Sequence, residues 1–335
     1  MFDTNSFADR IFSLKKGDAA AFEALAMEAF RYQSAENDVY GRFIKALGVD
    51  AASVDSIHKI PFLPISLFKS MKVVTGGFIP QEVFTSSGTT GMAQSRHYVK
   101  SLELYRRSFF TSWELHYGPV EDYAVLALLP SYLEREGSSL IVMADGFIKR
   151  SRHPESGFFL YQHEELRDRL EKLSSSGVKI LLLGVSFALL DFVEKYSVKL
   201  PETAVVMETG GMKGRRKEMV REELHAILKE GFGVRSIHSE YGMTELLSQA
   251  YSKGAGLYTT PPWMRIRIRD AHDPLSPLAG TGHRGGIDVT DLANIDSCCF
   301  ISTEDLGINH EDGTFEVLGR ITGSDIRGCN LMVAE

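Results

Sequence analysis

Apolar positions along the chain recur in two patterns, and each predicts a different element. Phe22, Leu25, Ala26 and Ala29 fall three and four apart, which gathers them on one helix face and predicts a helical segment over residues 1–60. Pro61, Pro64 and Pro80 then interrupt regular structure, and residues 82–85 predict a short strand. Further on, residues 123–129 and 179–183 are continuous apolar runs of strand length, each followed by a polar or helical segment. That is the signature of strands buried on both faces of a βα-repeating sheet. Residues 204–207 predict another strand, ended by Gly210-Gly211 and followed by a charged helix over 215–230. Residues 265–269 alternate Arg and Ile, predicting a strand with one exposed face, and 288–290 and 298–302 predict further strands. Strands interleaved with helices place the chain in the α/β class.

Composition narrows the function classes. A chain of 335 residues that is 44% hydrophobic is long enough for a large core, as one big domain or two modest ones. A formal net charge of -7 argues against non-specific nucleic-acid binding, which needs a concentrated positive footprint. The basic residues Lys213, Arg215, Arg216, Lys217 and Arg221 are interleaved with Glu218, Glu222 and Glu223, which reads as a solvated helix face. Cys298, Cys299 and Cys329 form neither a disulfide framework nor a zinc-ligand spacing, so a reducing compartment is expected. The N-terminus has no signal-peptide pattern, and no apolar run approaches the roughly 20 residues of a membrane span. The expected location is cytoplasmic.

One loop carries chemistry. Ser86, Ser87, Gly88, Thr89, Thr90 and Gly91 follow Thr85 and concentrate hydroxyls and glycines in a few residues. Glycines let the backbone approach an anion, and hydroxyls add donors beside the main-chain N–H groups. Such a loop suits a polyphosphate, although its spacing is not that of a Walker A loop. Taken alone, the segment also reads as an ordinary polar turn. About 150 residues later comes Ser239-Glu240-Tyr241-Gly242-Met243-Thr244-Glu245, which alone reads as a turn opening a capped helix.

Together the two segments resemble the phosphate loop and the Y-G-x-T-E motif of the adenylate-forming superfamily of acyl-CoA ligases, luciferases and adenylation domains. The resemblance implies an ANL-type N-terminal domain with mixed sheets and flanking helices, ATP and Mg²⁺ as cofactors, and a role for each matching residue. Ser86 to Gly91 would cradle phosphates. Tyr241 would lie against the adenine, Thr244 would contact the α-phosphate, and Glu245 would ligate Mg²⁺. Gly210 and Gly211 match the glycine pair that passes the base, Asp305 matches the ribose-binding aspartate, and Arg320, in Gly319-Arg320, matches an arginine that also reaches the ribose. These segments lie in the family's order between residues 84 and 320.

Two departures refine the resemblance. Ala93 and Gln94 stand where the loop usually has Pro and Lys, leaving Arg96 or His97 as candidates for the missing cation. After Arg320 only the fifteen residues 321–335 remain, without a lysine, where the superfamily has a C-terminal domain with a catalytic one. The expected organisation is an adenylation domain over 1–318 and a short remnant over 319–335, with the C-terminal domain absent or vestigial. This ending, with the loop sequence, is similar to the LuxE-type acyl-protein synthetases over nearly the whole length. That likeness implies a fatty acid activated with ATP, carried as a thioester on a cysteine near the C-terminus, here Cys329, and passed to an acyl-CoA reductase-type partner. Arg327 could lower the Cys329 pKa, but a buried free cysteine is an equal reading. Cys298 and Cys299 are assigned to the core.

Other readings stay open. The chain could bind ATP or acyl-adenylate without full catalysis, or pass its acyl group to CoA. Gly184-Val185-Ser186-Phe187-Ala188, between a strand and an apolar helix, resembles the nucleophile elbow of a hydrolase, with its last glycine replaced. A tight strand-to-helix connection explains it as well.

Overall fold

In the computed structural model, which describes residues 2–86, 93–130, 136–211, 216, 219–273 and 275–321, the N-terminal apolar periodicity becomes three helices. They are α1 (Thr4–Ser13), α2 (Ala19–Glu36) and α3 (Asp38–Ala46). Phe22, Leu25, Ala26 and Ala29 all lie on the buried side of α2. Asp3 caps α1 by accepting from the amides of Asn5 and Ser6, and Asn37 caps α3 through the Tyr40 amide, satisfying N–H groups that a helix leaves unpaired. Then come β1 (Leu63–Pro64), α4 (Leu67–Ser70), and the hairpin strands β2 (Glu82–Thr85) and β3 (Arg96–Val99). Helix α5 (Leu102–Tyr117) follows. Tertiary contacts group the chain into two units, with the boundary after Ser108 within α5.

Unit 2 comprises residues 109–243 and 249–258. It contains β4 (Tyr123–Leu128), α6 (Ser139–Arg150), β5 (Gly157–Phe159), α7 (His163–Ser174), β6 (Lys179–Val185), α8 (Ser186–Val193), β7 (Val205–Thr209), α9 (Arg221–Phe232), β8 (His238–Tyr241), β9 (Ala250–Ser252) and β10 (Leu257–Thr259). The strands run in the order β10-β9-β8-β7-β6-β4-β5. Those from β8 to β5 are parallel, and β9 is antiparallel to β8. Every residue of β4 and β7 is buried, because helices cover both faces of a parallel sheet and leave no polar face to expose. The charged helix is α9, beginning at Arg221 rather than 215; among the other basic residues of that stretch, Arg216 pairs with Asp191 and Glu194.

Unit 1 comprises residues 1–108, 244–248 and 259–335. Its sheet is built from β11 (Met264–Arg269), β12 (Arg284–Asp291), β13 (Phe300–Asn309) and β14 (Phe315–Arg320), each antiparallel to the next, with β1 parallel to β13. The expected exposed face of β11 is instead partly covered. Arg265 lies 3.9 Å over the Phe22 ring and Arg267 4.0 Å over the Phe62 ring, so aromatic faces replace water around the guanidinium planes. Arg269 is buried, donating to Ser302 Oγ at 2.7 Å and to the Thr303 carbonyl at 2.6 Å. A Cβ at Gly286 would overlap that guanidinium, which explains a glycine inside a strand. Cys298 and Cys299 precede β13 rather than lying in it, and both are wholly buried. The strands β12 and β13 extend well beyond the apolar cores that predict them.

No helix among the described residues is long and apolar enough to cross a membrane.

Candidate functional site

In unit 2 the chemistry gathers at the carboxyl ends of β7 and β8, where open α/β sheets bind ligands. Gly210 and Gly211 follow β7 with φ of 77° and 70°. Two successive residues in the left-handed region strain any residue with a side chain, so the pair must be glycine. Both are exposed and present bare backbone. Tyr241 closes β8; it is buried, with its ring edge-on to Tyr258 at 6.0 Å. Two carboxyls lie at this edge, Glu208 buried and Glu240 half-buried. Glu208 accepts from Ser186 Oγ at 2.9 Å, and His225 Nε2 stands 3.6 Å away. Desolvation works to raise the Glu208 pKa, but the polar groups of His225 and Ser239 nearby and the Ser186 hydrogen bond outweigh it and hold the carboxyl below its ordinary value. Glu240 accepts from Thr209 Oγ1 at 2.5 Å, and desolvation together with the Glu208 charge pushes its pKa up to about 7.

These contacts answer the nucleophile-elbow reading. Ser186 is fully buried and gives its hydroxyl proton to a carboxylate, whereas a serine nucleophile needs a histidine acceptor and an open face. It opens α8 as a strand-to-helix connection.

In unit 1 the segment from Thr244 to Ser248 is held from several sides. Residues 244–245 form a turn, and no helix follows, in contrast to the capped helix that the motif alone suggests. The Thr244 carbonyl accepts from His97 Nδ1 at 2.9 Å. Asn294 Nδ2 donates to the Glu245 carbonyl at 2.7 Å. Asp291 accepts from the amides of Leu247 and Ser248 and from Ser248 Oγ, whose oxygen also takes the Trp263 indole proton. Gln33 of α2 in turn donates to the carbonyls of Asn294 and Ile295. The Glu245 carboxyl is buried, and desolvation raises its pKa; a hydrogen bond with Ser95 and the charges of Arg320 and Lys69 oppose that rise.

The stem of the serine, threonine and glycine loop lies in the same unit. The Ser86 amide donates to the Ser95 carbonyl at 3.1 Å, and the Ser95 amide donates to Ser86 Oγ at 3.0 Å, closing the hairpin beyond the Thr85–Arg96 pair. Ser87, Gly88, Thr89, Thr90 and Gly91 lie outside the described residues, as do Arg327 and Cys329. His97 cannot serve as the missing cation at neutral pH. Burial between Phe68 and Phe84 lowers its pKa to about 4. The neutral ring must carry its proton on Nδ1, since a carbonyl only accepts. Arg96 is exposed.

Asp305 and Arg320, fifteen positions apart in sequence, are cross-strand partners of β13 and β14. Arg320 Nε stands 3.7 Å from Asp305 Oδ1, with the arginine 80% exposed and the carboxylate 16% exposed. A register shift between Leu306 and Gly307 gives β14 one extra residue before Gly319, whose φ is 134°.

Sequence reasoning missed Ser95, Asn294, Asp291 and the Glu208–Glu240 pair. Asp291 and Asn294 lie in a stretch read only for its strands, and their contacts run to residues more than forty positions away. Glu208 was legible only as the residue before Thr209-Gly210-Gly211.

The fit to a divalent cation can be tested on Glu245. Its carboxyl is buried and makes no ion pair among the described residues, where Lys69 pairs with Glu304 and Arg320 with Asp305. A buried carboxylate without a paired cation is a suitable hard-oxygen ligand. No cluster of three or more potential ligands exists among the described residues, so a full protein cage is absent there. One carboxylate with phosphate oxygens and water is a usual way to hold Mg²⁺, and the residues fit that form.

No family model matches the chain. It is 24% identical over 342 residues to the long-chain-fatty-acid--luciferin-component ligase of Vibrio harveyi, covering 93% of this chain and 86% of that protein. The open conformation of 2-hydroxyisobutyryl-CoA ligase, in complex with 2-HIB-AMP and CoA, superposes with a TM-score of 0.62 at 12% identity, covering 96% of this chain and 76% of the other. ATP-bound MatB from Rhodopseudomonas palustris superposes with a TM-score of 0.51 at 18% identity over 71% of this chain. This chain spans 47% of that protein's length. The resemblance to LuxE-type and adenylate-forming ligases is thus borne out, and the fold is the α/β fold of their N-terminal domains.

Proposed function

We propose that this protein is a ligase that activates a fatty or other organic acid with ATP and passes the acyl group to a protein thiol. In the first step a carboxylate oxygen attacks the α-phosphorus, the P–O bond to the β-phosphate breaks, and pyrophosphate leaves with the electron pair. The protein's tasks are to place two anions together and to stabilise charge on the leaving group. Tyr241 and the Gly210-Gly211 backbone are assigned to the adenine, Asp305 and Arg320 to the ribose, Thr244 to the α-phosphate, and the loop from Ser86 to Gly91 to the phosphates. Glu245 would hold Mg²⁺, whose chemistry here is neutralisation of phosphate charge.

One observation carries this reading. The Tyr241–Glu245 segment ends in a buried carboxylate that lacks an ion pair among the described residues and whose charged form is favoured by Ser95, the residue closing the loop stem. The identity to the Vibrio harveyi ligase across 93% of the chain favours a fatty acid as substrate. In the second step the acceptor thiolate attacks the acyl carbon, a thioester forms and AMP leaves. Cys298 and Cys299 are poor acceptors, since burial pushes the Cys298 thiol up to about 12 and Cys299 well above its ordinary value. That supports Cys329 as the acceptor and an acyl-CoA reductase-type protein as the next recipient.

The test is a panel of acids with ATP and hydroxylamine, read as acyl-hydroxamate, followed by labelling with the best acid. A hydroxylamine-labile label that Cys329→Ser abolishes, with hydroxamate formation retained, is the expected result. Hydroxamate without any protein label would point to CoA or another small thiol as acceptor. ATP binding without hydroxamate from any acid would reduce the protein to a nucleotide binder.

A further inference from the structure

We infer that Ser95 and His97, which lie outside the Y-G-M-T-E motif, are positioning residues that lock the loop stem to Thr244 and Glu245; the inference rests on the adenylation reading above. Both belong to the return side of the β2–β3 hairpin, His97 on β3 and Ser95 immediately before it. Ser95 is 2% exposed. Its amide and carbonyl close the loop stem on Ser86, which leaves its hydroxyl available to the Glu245 carboxyl, whose charged form it favours. His97 is two residues further on, so its side chain points to the same face of the extended chain. From there its Nδ1–H reaches the Thr244 carbonyl at 2.9 Å.

The two bonds act on neighbouring residues and fix different things. The Ser95 hydroxyl sets the direction of the Glu245 carboxyl, and a carboxylate held in one rotamer needs no further ordering when it ligates a cation. His97 fixes the backbone turn on which the Thr244 hydroxyl is carried. Its own ring is held edge-on by Phe68 at 6.1 Å and Phe84 at 6.4 Å, so the donor has little freedom to wander. From the other side Asn294 holds the Glu245 carbonyl at 2.7 Å. The turn is therefore gripped from both directions, and the loop stem cannot shift without carrying Thr244 and Glu245 with it. The residue types follow from the chemistry: a small hydroxyl donor fits the buried carboxyl, and a neutral ring donor fits a buried carbonyl without adding a charge near it.

The experiment compares full-length wild type with Ser95→Ala, Ser95→Thr, His97→Phe and His97→Asn. Acid-dependent ATP–pyrophosphate exchange is measured against Mg²⁺ concentration, and ATP binding by calorimetry with and without Mg²⁺. Ser95→Ala should raise the half-saturating Mg²⁺ about 10-fold, the usual scale for a hydrogen bond to a charged group, and Ser95→Thr should restore it. Its calorimetric ATP affinity should fall only when Mg²⁺ is present. His97→Phe keeps the ring packing but loses the donor, and should lower kcat about 10-fold by leaving the part-buried Thr244 carbonyl unpaired and its turn loose. His97→Asn, whose amide can donate from the Nδ1 position, should recover most of that loss. Thermal unfolding of all four variants reports folding separately. The inference is overturned if folded Ser95→Ala keeps the wild-type Mg²⁺ requirement, or if His97→Asn is no better than His97→Phe. If wild type itself exchanges no pyrophosphate with any acid, the adenylation reading fails instead.

Discussion

Glu240 and Glu245 are five residues apart, the first half-buried and the second buried, and they belong to different units. Glu240 lies in β8 of the parallel sheet of unit 2, where another carboxylate, Glu208, acts on it. Burial and that like charge act in the same direction, so Glu240 holds a proton up to about pH 7. Glu245 lies in unit 1, where Arg320 and Lys69 oppose the desolvation and Ser95 supplies a hydrogen bond. The same side chain, shielded from water in both places, is thus suited to two roles. Glu240 can become neutral where it lies, whereas Glu245, whose pKa burial also raises, has cationic neighbours that oppose the rise. Burial by itself does not mark a functional carboxylate; the sign of its neighbours does.

The strongest way to break this comparison is to neutralise each carboxylate in turn. Glu245→Gln should slow adenylation on the order of a hundredfold or more, because the charge that would face Mg²⁺ is gone while the shape remains. Glu240→Gln should stay within a few fold of wild type. Equal losses in pyrophosphate exchange would show that the two carboxylates are not distinct.

Tyr241, next to Glu240, tests the nucleotide side of unit 2. Tyr241→Ala should weaken ATP binding by about 10-fold or more, and Tyr241→Phe should be mild, since the ring face rather than the hydroxyl makes the assigned contact. A calorimetric titration in which the Phe variant is as weak as the Ala variant would assign the role to the hydroxyl.

Stability against pH sharpens the comparison further. The folded pKa of Glu240 is above its unfolded value, so its contribution is fully present below about pH 4.5 and is lost as pH rises through about 7. Glu240→Gln carries no such titration. Its stability relative to wild type should therefore rise between pH 5 and pH 8, by roughly 1–2 kcal/mol in denaturant melts. A flat difference over that range would mean that Glu240 is already ionised at pH 5.

The smallest effect concerns Asp305. Its 3.7 Å pairing with a largely exposed Arg320 should contribute less than about 0.5 kcal/mol to folding. Arg320→Gln, which breaks that pair, should consequently melt like wild type yet bind ATP more weakly. A clear loss of stability would identify the pair as structural instead of ribose-binding.

Elements whose burial is written in their own residues were legible from the chain alone. The apolar runs of β4 and β6, and the helical spacing of Phe22, Leu25, Ala26 and Ala29, need no distant partner to be read. The order of the motif segments was legible there too, because glycines, hydroxyls and carboxylates at those spacings can be read without a distant partner. Tertiary structure decided what depends on neighbours far along the chain. The alternating arginines of β11 look solvent-facing until Phe22 and Phe62 are brought over them, more than 200 positions from their own place in sequence. His97 looks like a cation until Phe68 and Phe84 enclose it, and then desolvation removes its charge. Ser95 and Asn294 are unremarkable in composition, and only the fold sets one against the Glu245 carboxyl and the other against its carbonyl. Periodicity reports which side of an element faces the core; the charge and direction of a buried group depend on what the core places beside it.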